Sequence, residues 1–195
     1  IAVEKDKQFA GLLSDRFGSQ VDIRYEDARY LEPETLFHDG ASFKFVGNLP
    51  YNAGTYILRN LLQNQYRPKQ TVVILQKEVV DRITANPGNM SVLSVSVQVF
   101  GQPSMELVVP RDSFYPKPAV TSAILKICSF DKPLIPDLDR ENFFKVVKAG
   151  FSNKRKMLRN TLANGLKIDS NVSSDILCSA ELVQTMRPEE VSVNE

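Results

Sequence analysis

At 195 residues the chain is long enough for one domain, or one domain with a small appendage, around a core of ordinary size. Its 43% hydrophobic and 24% charged residues exclude collagenous, coiled-coil and largely disordered classes. With 24 Lys and Arg against 23 Asp and Glu, the net charge of +1 excludes a histone-like polycation but leaves room for a local basic face.

Ile1 to Glu4 reads as a strand, and with no initiator methionine or lead-in the chain is expected to start inside a domain. Asp6 to Phe17 carries a helical stripe, Phe9, Leu12, Leu13 and Phe17, that Gly18 then stops. Val21 to Tyr25, Phe43 to Val46 and Thr71 to Leu75 are strand candidates, and Thr55 to Leu62 between the last two is a helix with Ile57, Leu58, Leu61 and Leu62 inward. Strand, helix, strand in succession predicts a parallel sheet flanked by helices. Lys77 to Ala85 is a short helix closed by the turn Asn86-Pro87-Gly88-Asn89. From 92 to 99, Leu93, Val95, Val97 and Val99 alternate with Ser94, Ser96 and Gln98, the period of a half-buried strand. Met105 to Val109 and Ser122 to Ile127 predict an antiparallel hairpin at the sheet edge. Pro133 and Pro136 mark a linker, and beyond it Glu141 to Phe151, Lys154 to Leu162 and Ser174 to Leu182 are helical. The division predicted is an α/β domain over 1–130 and a small helical domain over 137–195.

The sharpest local feature is Asn48-Leu49-Pro50-Tyr51, directly after a strand and before a helix. Ligands of open parallel sheets sit at the carboxyl ends of strands. An Asn oxygen and a neighbouring carbonyl can accept both hydrogens of an amino group on a flat ring, drawing the nitrogen lone pair out of conjugation, while Pro fixes the turn and Tyr offers a stacking face. The alternative is a strand-ending turn in which Asn48 caps backbone and Tyr51 packs in the core. Glu4 ends the first strand and Asp27 follows the second; acids there accept from ribose hydroxyls or an adenine amino group, or else serve as helix caps.

Taken in order, Val3-Glu4-Lys5-Asp6, Glu26-Asp27-Ala28, Gly47-Asn48-Leu49-Pro50-Tyr51-Asn52, Leu75-Gln76-Lys77-Glu78-Val79, the run Phe114 to Ala123 and the run Gly150 to Asn160 resemble the ribosomal RNA adenine dimethyltransferase family, over nearly the whole chain. The resemblance implies a Rossmann-like S-adenosylmethionine-dependent methyltransferase core, incomplete at its N-terminus, plus a small all-helical C-terminal domain. It implies dimethylation of N6 of two adjacent adenines near the 3′ end of small-subunit rRNA, in the pre-30S particle, with S-adenosylmethionine as donor and no metal. Glu4 would take the donor's ribose hydroxyls, and Asp27 with the Ala28 backbone its adenine. Asn48 and the Leu49 carbonyl would hold the target N6, Pro50 the turn, and Tyr51 and Phe114 the two faces of the base, presented unstacked. Within residues 92–99 the resemblance implies a helix, against the alternation. The family's glycine-rich donor loop would precede Ile1, and nothing in 1–195 replaces it, so the chain as written is expected to bind the donor poorly; micromolar affinity by calorimetry, about −8 kcal/mol, would overturn this. The rivals are a resistance-type methyltransferase acting on large-subunit rRNA, favoured less by Leu49, Asn52 and the Phe114 to Ala123 run, and a non-catalytic rRNA-binding assembly factor.

Between Phe143 and Asn160 stand Lys145, Lys148, Lys154, Arg155, Lys156 and Arg159 without an acid, either a solvated helix surface or a face for RNA phosphates. Cys128 and Cys178 fit neither a disulfide framework nor a CxxC pair and are expected as buried thiols; the single histidine, His38, has no partner for a zinc site and is expected at the surface. With no long apolar stretch and no secretory leader, the expectation is a monomeric, metal-free protein of the cytoplasm, without membrane contact.

Overall fold

The computed structural model describes residues 1–37, 41–153 and 155–195. His38 and Lys154 therefore lie outside the described residues.

Two sheets form among the described residues. β1 (Ala2–Glu4) and β2 (Ile23–Tyr25) pair in parallel, Ala2 opposite Ile23 and Glu4 opposite Tyr25, with α1 (Lys7–Phe17) as the crossover. Asp6 caps α1 by accepting from the N–H groups of Gln8 and Phe9 at 2.8 and 3.1 Å. The apolar stripe of α1, expected to face a core, points largely outward: Phe9 is 60% and Leu12 62% exposed, and Ala10 is the helix's buried residue. A two-stranded sheet of three-residue strands has too little surface to cover a helix face. A 3₁₀ turn over Ala28–Tyr30 and the single-turn α2 (Pro33–Leu36) follow.

The second sheet is built from β3 (Lys44–Asn48), β4 (Gln70–Gln76), β5 (Gly101–Val109) and β6 (Ser122–Ser129), in the order β3-β4-β6-β5. β3 and β4 are parallel, joined through α3 (Gly54–Gln63); β6 runs antiparallel to both β4 and β5. The late hairpin thus closes the sheet as expected, with its second strand inward. Ile57, Leu58, Leu61 and Leu62 of α3 pack on Val73, Leu75, Leu125 and Ile127 of the sheet, joined by Val80 and Ile83 of α4 (Lys77–Ile83). Each such side chain removed from water contributes about 1.5–3 kcal/mol.

Residues 92–99 are helical: α5 spans Val92–Gln98. The alternation misleads because the serines are buried too. Ser94 Oγ donates to the Ser91 carbonyl at 2.8 Å, Ser96 Oγ donates to the Leu93 carbonyl at 2.8 Å, and Ser91 and Ser94 close a capping box. Local bonds of this kind let hydroxyls enter a core without loss.

α6 (Arg140–Gly150), α7 (Leu158–Leu166) and α8 (Ser170–Ser179) complete the chain. The helix expected from Lys154 starts only at Leu158, whose N–H is donated to the Met186 carbonyl at 2.7 Å. The one expected from Ser174 starts at Ser170, because Asp169 caps it by accepting from the Asn171 N–H at 2.7 Å. Ala149, Leu158, Leu162 and Leu177 form a small core of their own, while Phe143, Phe144 and Val147 of α6 pack on the main core. Across the boundary expected near 130–137, Arg140 donates to the Gln63 carbonyl at 2.6 Å, pairs with Asp137 and lies 5.4 Å over the Phe100 ring. Both cysteines are exposed, against expectation: Cys128 sits at the end of β6, and Cys178 accepts from the Gln184 side chain at 3.1 Å.

Candidate active site

β1 and β3 are not paired with one another. Between them lies an open cleft of about 970 Å³, lined by Ile1–Lys5, Glu26–Arg29, Phe43–Ala53 and Phe114–Pro116, which takes in the carboxyl ends of β1, β2 and β3. Glu4, Asp27, Ala28, Asn48, Leu49, Pro50, Tyr51 and Phe114 all line it. Residues far apart in sequence share this wall because parallel strands put their carboxyl ends on one side of a sheet.

The turn after β3 is built to present side chains. Leu49 is buried in the main core, and its N–H is donated to the Ile74 carbonyl of β4 at 3.3 Å. The N–H groups of Ala53 and Gly54 both go to the Pro50 carbonyl, at 3.0 and 2.8 Å, and not to that of Leu49. α3 approaches β4 closely here, since a Cβ on Gly54 would stand 2.5 Å from Leu75 Cδ2. Anchored at Leu49, the turn leaves Asn48, Pro50, Tyr51 and Asn52 exposed on the cleft. The Asn48 side chain makes no hydrogen bond among the described residues, so it is not a backbone cap, and Tyr51 is 39% exposed rather than packed in the core. The Tyr51 hydroxyl lies 2.7 Å from Ser122 Oγ.

The two acids do double duty. Glu4, which lines the cleft, accepts from the Asp6 N–H on Oε1 at 2.8 Å, which leaves Oε2 without a partner among the described residues. Asp27 caps the 3₁₀ turn through the Arg29 N–H at 2.9 Å and takes both Nε and Nη2 of Arg29 on its other oxygen, at 2.9 and 2.6 Å. These bonds, the guanidinium's first and the backbone N–H's second, pull the Asp27 carboxyl down to about 2. It is a fixed anion. The capping reading is therefore realised by Asp27 together with its position on the cleft, whereas α1 is capped by Asp6 and Glu4 bonds only the Asp6 N–H.

Among the wall residues that the sequence reading did not assign to the site, four stand out. Arg29 clamps Asp27; Phe37 and Phe43 stack at 4.3 Å; Tyr115 is fully exposed. Arg29 stands two residues after Asp27, but that it folds back over the carboxylate depends on the 3₁₀ turn, and the two phenylalanines meet only in the tertiary structure. Of the basic residues, Lys145, Lys148, Arg155 and Lys156 are exposed, Arg159 is half-buried with its Nε unpartnered, and none of these lines the cleft.

Comparison with known proteins gives the family and the fold. The family model described as ribosomal RNA adenine dimethylase matches residues 1–191. The chain is 36% identical over 197 residues to ribosomal RNA small subunit methyltransferase A of Dehalococcoides mccartyi, covering all of this chain and 68% of that protein. It is 38% identical over 203 residues to the protein of the same name from Desulforapulum autotrophicum, covering all of this chain and 71% of that one. In fold it is similar to a dimethyladenosine transferase from Plasmodium falciparum (TM-score 0.79, 20% identity, 98% of this chain and 77% of that one) and to the 23S rRNA methyltransferase ErmE (TM-score 0.74, 21% identity, 98% and 76%). With a match from end to end of its sheet and helices, and relatives well above 30% identity, the chain belongs to the ribosomal RNA adenine dimethylase family.

Proposed function

We propose that this chain is a transferase that dimethylates N6 of two adjacent adenines near the 3′ end of small-subunit rRNA, with S-adenosylmethionine as methyl donor. The observation that carries the reading is the Asn48 amide, exposed on the cleft without a partner among the described residues, next in sequence to a Leu49 carbonyl that the turn's own N–H groups pass over. Two acceptors side by side on an anchored turn suit the two hydrogens of an exocyclic amine. Held there, the amine loses conjugation with its ring and its lone pair is exposed for attack. When bound, the donor supplies a methyl group on a positively charged sulfur, a leaving group already activated.

The chain's own residues then have positioning work. Glu4 Oε2 is free for ribose hydroxyls. Asp27, ionised and immobilised by Arg29, has acceptor capacity left for an adenine amino group, with the Ala28 N–H next to it. These side chains fit the adenosine part of the donor, while for its methionine part residues 1–195 supply no glycine-rich loop, which keeps the expected donor affinity of this chain low. Tyr51 and Phe114 offer the faces between which an unstacked base would lie. Orientation on this scale can supply many orders of magnitude of rate without a covalent intermediate. Lys145, Lys148, Lys154, Arg155, Lys156 and Arg159 would meet RNA phosphates, Lys154 lying outside the described residues. The reading places the protein as a monomer on the pre-30S particle in the cytoplasm; no helix among the described residues is long and apolar enough to cross a membrane.

Asn48→Ala tests it. Mapping of N6-methylated adenines in small-subunit rRNA should show methylation reduced at least about a hundredfold, the scale of one lost transition-state acceptor, with particle binding retained. Unchanged methylation overturns the reading.

A further inference from the structure

Ser122 has no place in the reading above, yet its surroundings are unusual. It is the first residue of β6 and fully buried, so it cannot touch a base in the cleft. It stands in register with Gln76, the last residue of β4, and with Val109, the last residue of β5, so ladders on both sides hold its backbone. Next to it, the Thr121 carbonyl accepts the Lys77 N–H at 2.9 Å. From this rigid point its Oγ reaches the Tyr51 hydroxyl at 2.7 Å, across 71 residues of sequence.

The Tyr51 ring is thereby held at both ends. Its backbone belongs to the turn anchored by Leu49, and its hydroxyl is tied to β6, one of the two inner strands of the sheet. A tyrosine otherwise exposed on a cleft would sample several χ1 and χ2 settings, and a stacking face that must be ordered at each encounter is a poorer one. Ser122 also ends the segment after β5 that carries Phe114, so the bond links the turn bearing one aromatic wall to the segment bearing the other.

We infer that Ser122 is a positioning residue: its hydroxyl fixes the Tyr51 ring in the plane on which the target adenine stacks. This rests on the reading of Tyr51 as the stacking face. The test is a double-mutant cycle on methylation of under-methylated small-subunit particles by the complete gene product, with Ser122→Ala, Tyr51→Phe and the pair. Tyr51→Phe removes only the hydroxyl, at a partly exposed position, and keeps the cycle informative should the buried Ser122→Ala destabilise the sheet. Each single variant is expected to lose about tenfold in kcat, the effect of one hydrogen bond of about 1.4 kcal/mol, with KM for the donor unchanged. The pair should lose no more than either alone, and Ser122→Thr, which keeps the hydroxyl, should recover most of the rate. Multiplicative losses in the pair, or Tyr51→Phe within twofold of the unaltered protein, overturn the inference. Tyr51→Ala separates the two levels. If it abolishes methylation while Tyr51→Phe stays within twofold of the unaltered protein, the tether falls and the stacking face stands; if it leaves methylation unchanged, the stacking face itself falls.

Discussion

At the scale of single residues, the site is a matter of which polar atoms have been left without an internal partner. Among the described residues Asn48 has none, Glu4 keeps one oxygen, and Asp27 is tied up by Arg29 yet keeps acceptor capacity. The Asp27–Arg29 pair gives a pH signature with a definite sign. A carboxyl whose folded value is lowered from 3.8 to about 2 lends its stabilisation above the unfolded value and loses it as pH falls through about 2. Between roughly pH 5 and 9 donor binding should thus show no titration from Asp27. In Arg29→Ala, an NMR titration of the Asp27 carboxyl carbon should move its midpoint up toward the ordinary carboxylate range; a midpoint that stays would remove Arg29 as the cause. The sequence marked Asp27 by its place after a strand. It could not show that the neighbour two residues on folds back over it, because the bend is made by the 3₁₀ turn that Asp27 itself caps.

Elements differ in how much of their burial is local. α3 was legible to within a residue or two because its four inward residues lie on one helical face and all four are buried. Its close approach to β4 predicts that Gly54→Ala, pressing on Leu75 inside the core, destabilises the protein by about 1–3 kcal/mol in urea denaturation. The helix α5 was legible only through the resemblance, since its sequence alternates, and serines bonded to their own backbone let both phases of the alternation go inward. For α1 the periodicity gives the helix correctly, but its apolar face lies mostly in the open. With one buried residue in α1 and a two-stranded sheet beneath it, this unit should open locally well below the global unfolding free energy. Amide hydrogen exchange is expected to be faster in β1 and β2 than in β4 and β6, whose ladders run through the main core; equal protection would show that the unit is held by the rest of the molecule.

On the scale of the whole molecule, near-neutrality conceals an arrangement. Lys145, Lys148, Arg155 and Lys156 stand exposed, and none enters an ion pair among the described residues. If they meet RNA phosphates, replacing Arg155 and Lys156 by Ala should weaken RNA binding and reduce the slope of log affinity against log salt by about 0.7–0.9 for each phosphate no longer neutralised. Donor affinity should not change, since neither residue lines the cleft; an unaltered salt slope would assign these cations to a solvated surface. Arg159, read with them from its charge alone, is half-buried, and its role in such a face would need its guanidinium to reach out from α7.

By itself the sequence determined the local codes: helix and strand periods, the turn after β3, and the run of residue types whose order matches the family. Those depend on neighbours a few positions apart, and they carry the chemistry because the residue types that meet a ligand stand together in Asn48 to Tyr51, although the turn itself is anchored from β4 and β6. What only the tertiary structure decided is which surfaces meet. It placed β6 between β4 and β5, set Ser122 under the Tyr51 hydroxyl, exposed the α1 stripe and both cysteines, and tied α6 to the α/β core. Burial and long-range hydrogen bonding are properties of two segments brought together, and no single segment contains the information about its partner.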